Sequence, residues 1–181
     1  TYRLDEDVIY TVLTDVPLVN ILRVLGYKQS FLGQTFGKGW YDLKQKSGLM
    51  DLEIQSFQIK PTPLTDTITM LLGTDPSRII FSSTKLHAVI KQKIITYTLE
   101  AIGTKSSITI REGTFNTLTD QHNANFTLVY EKYTLHGKIQ GSKDNPQVTL
   151  DTQELLHNQL TEEKLQKTFD KAQKFLKGLS F

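Results

Sequence analysis

The 181-residue sequence contains no cysteine. That removes disulfide frameworks, thiolate nucleophiles and cysteine-based zinc sites together, and is as compatible with a reducing cytosol as with a disulfide-free envelope compartment. Also missing is any apolar run near the roughly 18–20 residues that a membrane-spanning helix needs, and any signal-like start. Charge of one sign is lacking too: 21 basic against 19 acidic residues leave a formal +2, spread without the Lys/Arg block that marks a nucleic-acid footprint. Nucleic acid is therefore not an expected partner.

Catalytic patterns are equally sparse. His87, His122, His136 and His157 stand singly, with no metal-ligand spacing around them, so no metal or other cofactor is expected. No Gly-x-Ser-x-Gly elbow occurs, and Ser82-Ser83 and Ser106-Ser107 fall at strand starts. Gly33 to Gly39 departs from a phosphate loop because Gly39 stands where Ser or Thr is required and strand-like sequence follows. Asp5, Glu6 and Asp7 are adjacent, and neighbouring strand residues point to opposite faces, so no shared acid–base site follows. The expectation is a protein that is not an enzyme.

What is present is the pattern of one α+β, β-rich domain covering 1–181. Asp15-Val16-Pro17 precedes Leu18, Ile21, Leu22 and Leu25 on one helical face, with Gly26 as a left-handed stop. Thr62-Pro63 precedes a second short helix carrying Leu64, Ile68, Leu71 and Leu72, with Asp66 in its first turn and Gly73 at its end. The likeness of these two segments hints at a duplicated helix-plus-strands unit. Strands are expected over Gln34 to Gln45 and Met50 to Ile59, the latter with a phase change between Ile54 and Phe57 that implies a bulge.

From Phe81 the alternation is regular, with strands near 81–91, 93–102, 106–116, 123–131 and 132–140, the spacing of an antiparallel meander forming a curved sheet. Ile95, Tyr97, Leu99 and Ala101 share a face, as do Ile108 and Ile110, Phe126, Leu128 and Tyr130, and Tyr133, Leu135 and Ile139. Thr96, Thr98, Glu100, Thr109, Arg111, Thr127, Thr134, His136, Lys138 and Gln140 occupy the wet face. A C-terminal amphipathic helical segment is expected over 152–179. Asp151 and Glu154 have capping-box spacing, the apolar stripe runs through Leu155, Leu160, Phe169 and Leu176, and Lys164, Lys167, Lys171, Lys174 and Lys177 lie on the polar side.

The segments Val16-Pro17-Leu18 to Leu25-Gly26-Tyr27 and Gly33 to Gly39-Trp40-Tyr41-Asp42-Leu43 carry a resemblance, as does the run from Ile139-Gln140-Gly141-Ser142 through Asp144-Asn145-Pro146 to Leu150-Asp151. Together they resemble the C-terminal region of AsmA-like bacterial envelope proteins, in the TamB and bridge-like lipid-transfer group. The resemblance implies a periplasmic protein, tethered to the inner membrane by an anchor upstream of this segment, that takes part in phospholipid transport or outer-membrane assembly. Its partners would be phospholipid and envelope proteins. The cargo surface it implies is the apolar sheet face, here Tyr97, Leu99, Ile108, Ile110, Phe126, Leu128, Tyr130, Leu135 and Ile139. Relative to a full-length member the sequence lacks the N-terminal anchor and most of the long β region. Starting at Thr1-Tyr2-Arg3-Leu4 without an initiator methionine, it reads as a piece of a longer chain. The competing reading is an envelope or secreted interaction domain that binds protein through a sheet edge or an exposed helix.

Overall fold

The computed structural model describes residues 2–3, 7–72, 75–131, 133–143 and 145–151. The helical segment expected over 152–179, and Gly73 as the end of the second helix, lie outside the described residues. Ten strands form one sheet in chain order: β1 (Tyr2–Arg3), β2 (Val8–Pro17), β3 (Phe31–Asp42), β4 (Ser47–Ile59), β5 (Ser83–Lys91), β6 (Ile94–Ile102), β7 (Ser106–Asn116), β8 (Gln121–Tyr130), β9 (Tyr133–Ser142) and β10 (Pro146–Asp151). Every neighbouring pair is antiparallel. Among the described residues the sheet is an open meander with β1 and β10 at its two edges. Helix α1 (Leu18–Val24) joins β2 to β3, and helix α2 (Pro63–Leu72), followed by a 3₁₀ turn at Pro76–Arg78, joins β4 to β5.

Local chemistry explains where these elements begin and stop. The Thr62 hydroxyl accepts from the Thr65 amide (3.2 Å) while the Thr65 hydroxyl accepts from the Thr62 amide (2.8 Å). This reciprocal cap satisfies donors that the first turn of α2 leaves open. At the end of α1 the Gly26 amide donates to the Arg23 carbonyl and the Tyr27 amide to the Leu22 carbonyl, with Gly26 at φ 73°. That is the Schellman arrangement, in which a glycine tolerates the left-handed stop. Asp15, expected just ahead of α1, instead takes φ 55° where the β2–β3 register slips between Leu13 and Val16.

Two hairpins share one device. Asp42 Oδ1 accepts from the amides of Lys44 and Gln45, and Asn116 Oδ1 accepts from those of Leu118 and Thr119. Lys46 and Asp120, at φ 52° and 57°, then reverse the chain.

The phase change foreseen in β4 is a bulge at Ser56, φ 52°, where the register against β3 shifts. It returns Phe57 to the face of Ile54, and both are buried. A second bulge interrupts β7 between Ile110 and Thr114 and shifts its pairing with both β6 and β8. With these corrections the two faces separate as the alternation indicated. Leu18 of α1 packs with Ile54, Phe57, Phe81 and Ala101, and Ile68 of α2 packs with Ile110, Ala124, Phe126, Leu128 and Leu135. Both helices therefore lie on the apolar face.

The connection after α1 also fixes the shape of the sheet. Tyr27 meets Phe115 of β7 with ring centroids 6.2 Å apart. Only three residues separate Tyr27 from Phe31 at the start of β3, four steps along the chain with a reach of at most about 14 Å. In a flat sheet β7 would lie about 19 Å from β3 across the strands alone, and Phe115 would sit toward the opposite strand end from Phe31. The contact requires the sheet to curl toward its apolar side, so that residues Leu18–Ser30 cross that face as an arm.

The row nearest the helices holds two polar anomalies. Thr35 and Thr84 flank Ile54 in register, both are fully buried, and neither hydroxyl has a hydrogen-bond partner. An unsatisfied buried hydroxyl costs about 1–3 kcal/mol. Replacing both by the isosteric Val is expected to raise the unfolding free energy by about 1 kcal/mol per site, read as a higher urea midpoint. A lower midpoint in the double variant would show that the hydroxyls are satisfied.

Candidate functional site

The candidate site is the apolar face, and the register assembles it. Directly opposed residues of antiparallel strands project to the same side. One unbroken line of opposed positions runs Leu13, Gly37, Leu52, Leu86, Leu99, Ile110, Phe126, Gly137, Leu150, from β2 to β10. Not one of these carries a polar side chain. Toward the helices lies the row Val16, Thr35, Ile54, Thr84, Ala101, Ile108, Leu128, Leu135. On the other side lies Thr11, Gly39, Met50, Ala88, Tyr97, Gly113, and beyond it Ile9, Tyr41, Gly48, Ile90, Ile95, Phe115, His122.

Burial grades across these rows. In the row by the helices, Thr35, Ile54, Thr84, Ala101, Leu128 and Leu135 are buried and only the terminal Val16 and Ile108 are half-buried. In the unbroken line the burial is confined to Ile110 and Phe126, while Leu13, Leu52, Leu86, Leu99 and Leu150 stay half-buried. Further out, only the small residues Gly48, Ala88 and Gly113 are buried, Met50, Ile90, Ile95, Tyr97 and Phe115 are half-buried, and Ile9 is exposed. The face is thus sealed at one end of the strands and partly open toward the other.

The nine residues expected to line a cargo surface all lie on this face. Ile110, Phe126, Leu128 and Leu135 are buried in the cluster that includes Ile68, so as individual residues they are core. Tyr97, Leu99, Ile108 and Ile139 are half-buried at its margin, and Tyr130 is half-buried at the end of β8. Sequence reasoning did not assign Leu13, Met50, Leu52, Leu86 and Ile90 to the cargo surface; they form its more accessible half over β2–β5. The alternation of Met50, Leu52 and Ile54, and of Leu86, Ala88 and Ile90, carried that signal.

Glycines shape the surface. A Cβ on Gly113 would collide with the Tyr97 ring, and one on Gly137 with the Phe126 ring and the Thr149 carbonyl. In both places an aromatic ring lies flat over the glycine of the next strand, filling the space that a side chain would take. Methyl groups there would lift both rings off the sheet.

Among the described residues, the outer margin carries the ionisable side chains on this face that depart from their ordinary behaviour. Tyr97 and His122 stack with centroids 5.6 Å apart and an interplanar angle of 8°, and the Tyr97 hydroxyl is hydrogen-bonded to His122 Nε2. Phe115 meets His122 edge-on at 6.3 Å. Burial, and then the neighbouring Tyr27, push the Tyr97 hydroxyl well above the usual phenol range. Tyr27 is raised by burial and then by the charge of Asp120. Burial alone lowers His122 and keeps its ring neutral. The group is an uncharged aromatic corner with two hydroxyls and an imidazole, suited to hydrogen-bonding the polar part of a ligand whose apolar part lies along the rows.

The opposite face carries charge in cross-strand order. Glu53, Lys85 and Glu100 are opposed in register, as are Lys38, Asp51, His87 and Thr98. Between these rows runs a trough of about 790 Å³, bounded also by Phe36, Thr109 and Arg111. His87 Nδ1 lies 2.6 Å from Asp51 Oδ1, with both side chains 47% exposed, so water screens the pair and it contributes little. Among the described residues no hydroxyl is hydrogen-bonded to the other nitrogen of His87, so no activated nucleophile stands in the trough. His136 is bonded to Thr127 on the same face, three strands beyond His87's neighbour Thr98, and His122 belongs to the apolar face. The three described histidines do not converge.

Comparison with protein-family models, with curated proteins and with solved structures finds no match.

The neutral His122 sets a pH dependence. An unfolded imidazole titrates near 6.5, and the folded value lies below it. On acidification the unfolded chain therefore takes up the proton first. Stability falls as the pH drops below about 6.5, and the loss is complete once the folded value is passed. Between about pH 7 and pH 5 the urea midpoint of the wild type should fall more steeply than that of His122→Phe. Equal slopes would contradict a neutral, buried imidazole.

Proposed function

We propose that the chain is a non-enzymatic, AsmA-like envelope module in phospholipid transport or outer-membrane assembly, holding acyl chains against the apolar face of its sheet. The observation that carries the reading is the unbroken apolar line from Leu13 to Leu150, half-buried over β2–β6 and sealed only beside the helices. Exposing an acyl chain of on the order of 15 methylenes to water costs about 12 kcal/mol, at about 0.8 kcal/mol each. A long sheltering surface offsets that cost. Leu13, Met50, Leu52, Leu86, Ile90 and Leu99 supply one, and the Tyr97–His122 corner supplies hydrogen-bonding groups at its margin.

A second reading rests on the sheet edge. β1 pairs with β2 only at Val8 and Ile9. From Thr11 to Pro17 the outer edge of β2 has no strand partner among the described residues, and such an edge can accept a strand from another protein.

The two readings separate experimentally. Lipid extraction and native mass spectrometry of the purified chain should find bound phospholipid. Met50→Asp with Leu86→Asp should reduce it severalfold, while Thr98→Asp on the charged face should not, each variant being checked for its fold by circular dichroism. No bound lipid, or equal occupancy in all variants, would contradict lipid carriage. Loss of a protein partner on substituting Val12 by Pro, with lipid unchanged, would favour the edge reading.

A further inference from the structure

One end of the sheet has a composition that neither turn chemistry nor the apolar face explains. The β3–β4, β5–β6, β7–β8 and β9–β10 connections all emerge there, because each follows an odd-numbered strand of the meander. The arm after α1 reaches the same end: the position a Cβ would take on Gly26 lies 3.7 Å from Lys143 Nζ in the β9–β10 turn.

Turn tips favour small and polar residues, yet Leu43 is 42% exposed, Ile94 39%, Leu118 66%, and Val24 and Leu25 on the arm 86% and 58%. Lysines alternate with them. Lys44, Lys46 and Lys93 are exposed at the tips, and Lys143 is half-buried between the arm and the β9–β10 turn.

Three carboxylates among the described residues of this end are engaged. Asp7 pairs with Lys44 at 2.6 Å, Asp42 accepts the Lys44 and Gln45 amides, and Asp120 is half-buried next to Tyr27. At the other end of the strands two cations are matched, Arg78 with Asp75 and Lys105 with Glu131. One row in from the tips, Tyr10 and Trp40 are opposed in register and exposed, 39% and 40%. Leucines at the tips, lysines around them and a Tyr–Trp pair one row behind follow the order of a lipid interface: hydrocarbon, anionic headgroup, aromatic belt.

We propose that this hairpin end is a docking surface for an anionic lipid bilayer, with Leu43, Leu118, Val24 and Leu25 entering the headgroup boundary and Lys46, Lys93 and Lys143 facing the headgroups. The surface abuts the open side of the apolar face, so a lipid leaving the bilayer meets the Ile9, Ile95 and Phe115 row first. The proposal stands on the tips themselves. Vesicle binding tests it and co-purified lipid tests carriage, so either can fail alone.

Trp40 is the only tryptophan in the chain and reports directly. The full 181-residue chain should co-sediment with vesicles of phosphatidylcholine and phosphatidylglycerol, with a blue shift of Trp40 emission, and not with phosphatidylcholine alone. Binding should weaken as salt rises. Lys46→Glu with Lys93→Glu should lower partitioning by about fivefold or more per lysine, and Leu43→Ser with Leu118→Ser should lower it while abolishing the blue shift. Lys60→Glu with Lys138→Glu makes the same change in net charge away from this end and should leave the blue shift intact and cost less. Unchanged binding of the tip variants, equal loss in the control pair, or equal binding to polyglutamate would overturn the proposal.

Discussion

Register is the constraint on which this molecule depends. Strand neighbours in the meander are also sequence neighbours, so each pairing is fixed locally, and a slip of one residue in any pair would carry every side chain beyond it to the other face. The line from Leu13 to Leu150 exists because nine strands keep phase. They do so with bulges, not by uniform pairing. Asp15 in β2, Ser56 in β4 and the interruption of β7 after Ile110 each absorb a residue that would otherwise invert a face. Ser56 illustrates the energetics: without its left-handed turn Phe57 would point to water, forfeiting the 1.5–3 kcal/mol or so that burying a large apolar side chain brings.

Curl and cover follow from the same face. The helices also reach strands well beyond those that precede them. α1 follows β2 yet packs on Ile54, Phe81 and Ala101, and α2 follows β4 yet shares a cluster with Phe126 and Leu135. Each helix is carried forward over later strands, which a curled sheet permits. Both leave the sheet at the same strand end, so burial is heaviest there and thins toward the hairpin tips. This polarity separates a sealed core from a half-open surface within one continuous face.

Much of this was legible in the sequence, for a physical reason. From β5 to β9 the alternation is nearly pure, and the residues expected on the wet side, Thr96 through Gln140, are opposed in register on that side except Arg111, which falls in the β7 bulge. The Gly26 stop and the β4 phase change were legible because each depends on a few adjacent residues. β2 was not, since Ile9 and Leu13 on one face and Tyr10 and Val12 on the other are all apolar, leaving no period to read. Which apolar residues are core and which accessible was hidden as well. Leu99 and Leu135 look alike in sequence, but only Leu135 lies in the row the helices cover. The Tyr97–His122 pairing joins residues on different strands, and single-strand alternation is silent about it.

The central claim is that one sheet face shelters acyl chains and the other does not. Leu52 and Glu53 are consecutive on β4 and point to opposite faces, so they allow the most direct measurement. A photo-activated cross-linking side chain placed at each position in turn, in cells containing labelled phospholipid, should capture lipid at 52 and not at 53. Equal capture at the two positions, or none at 52 in a folded protein, would contradict the account.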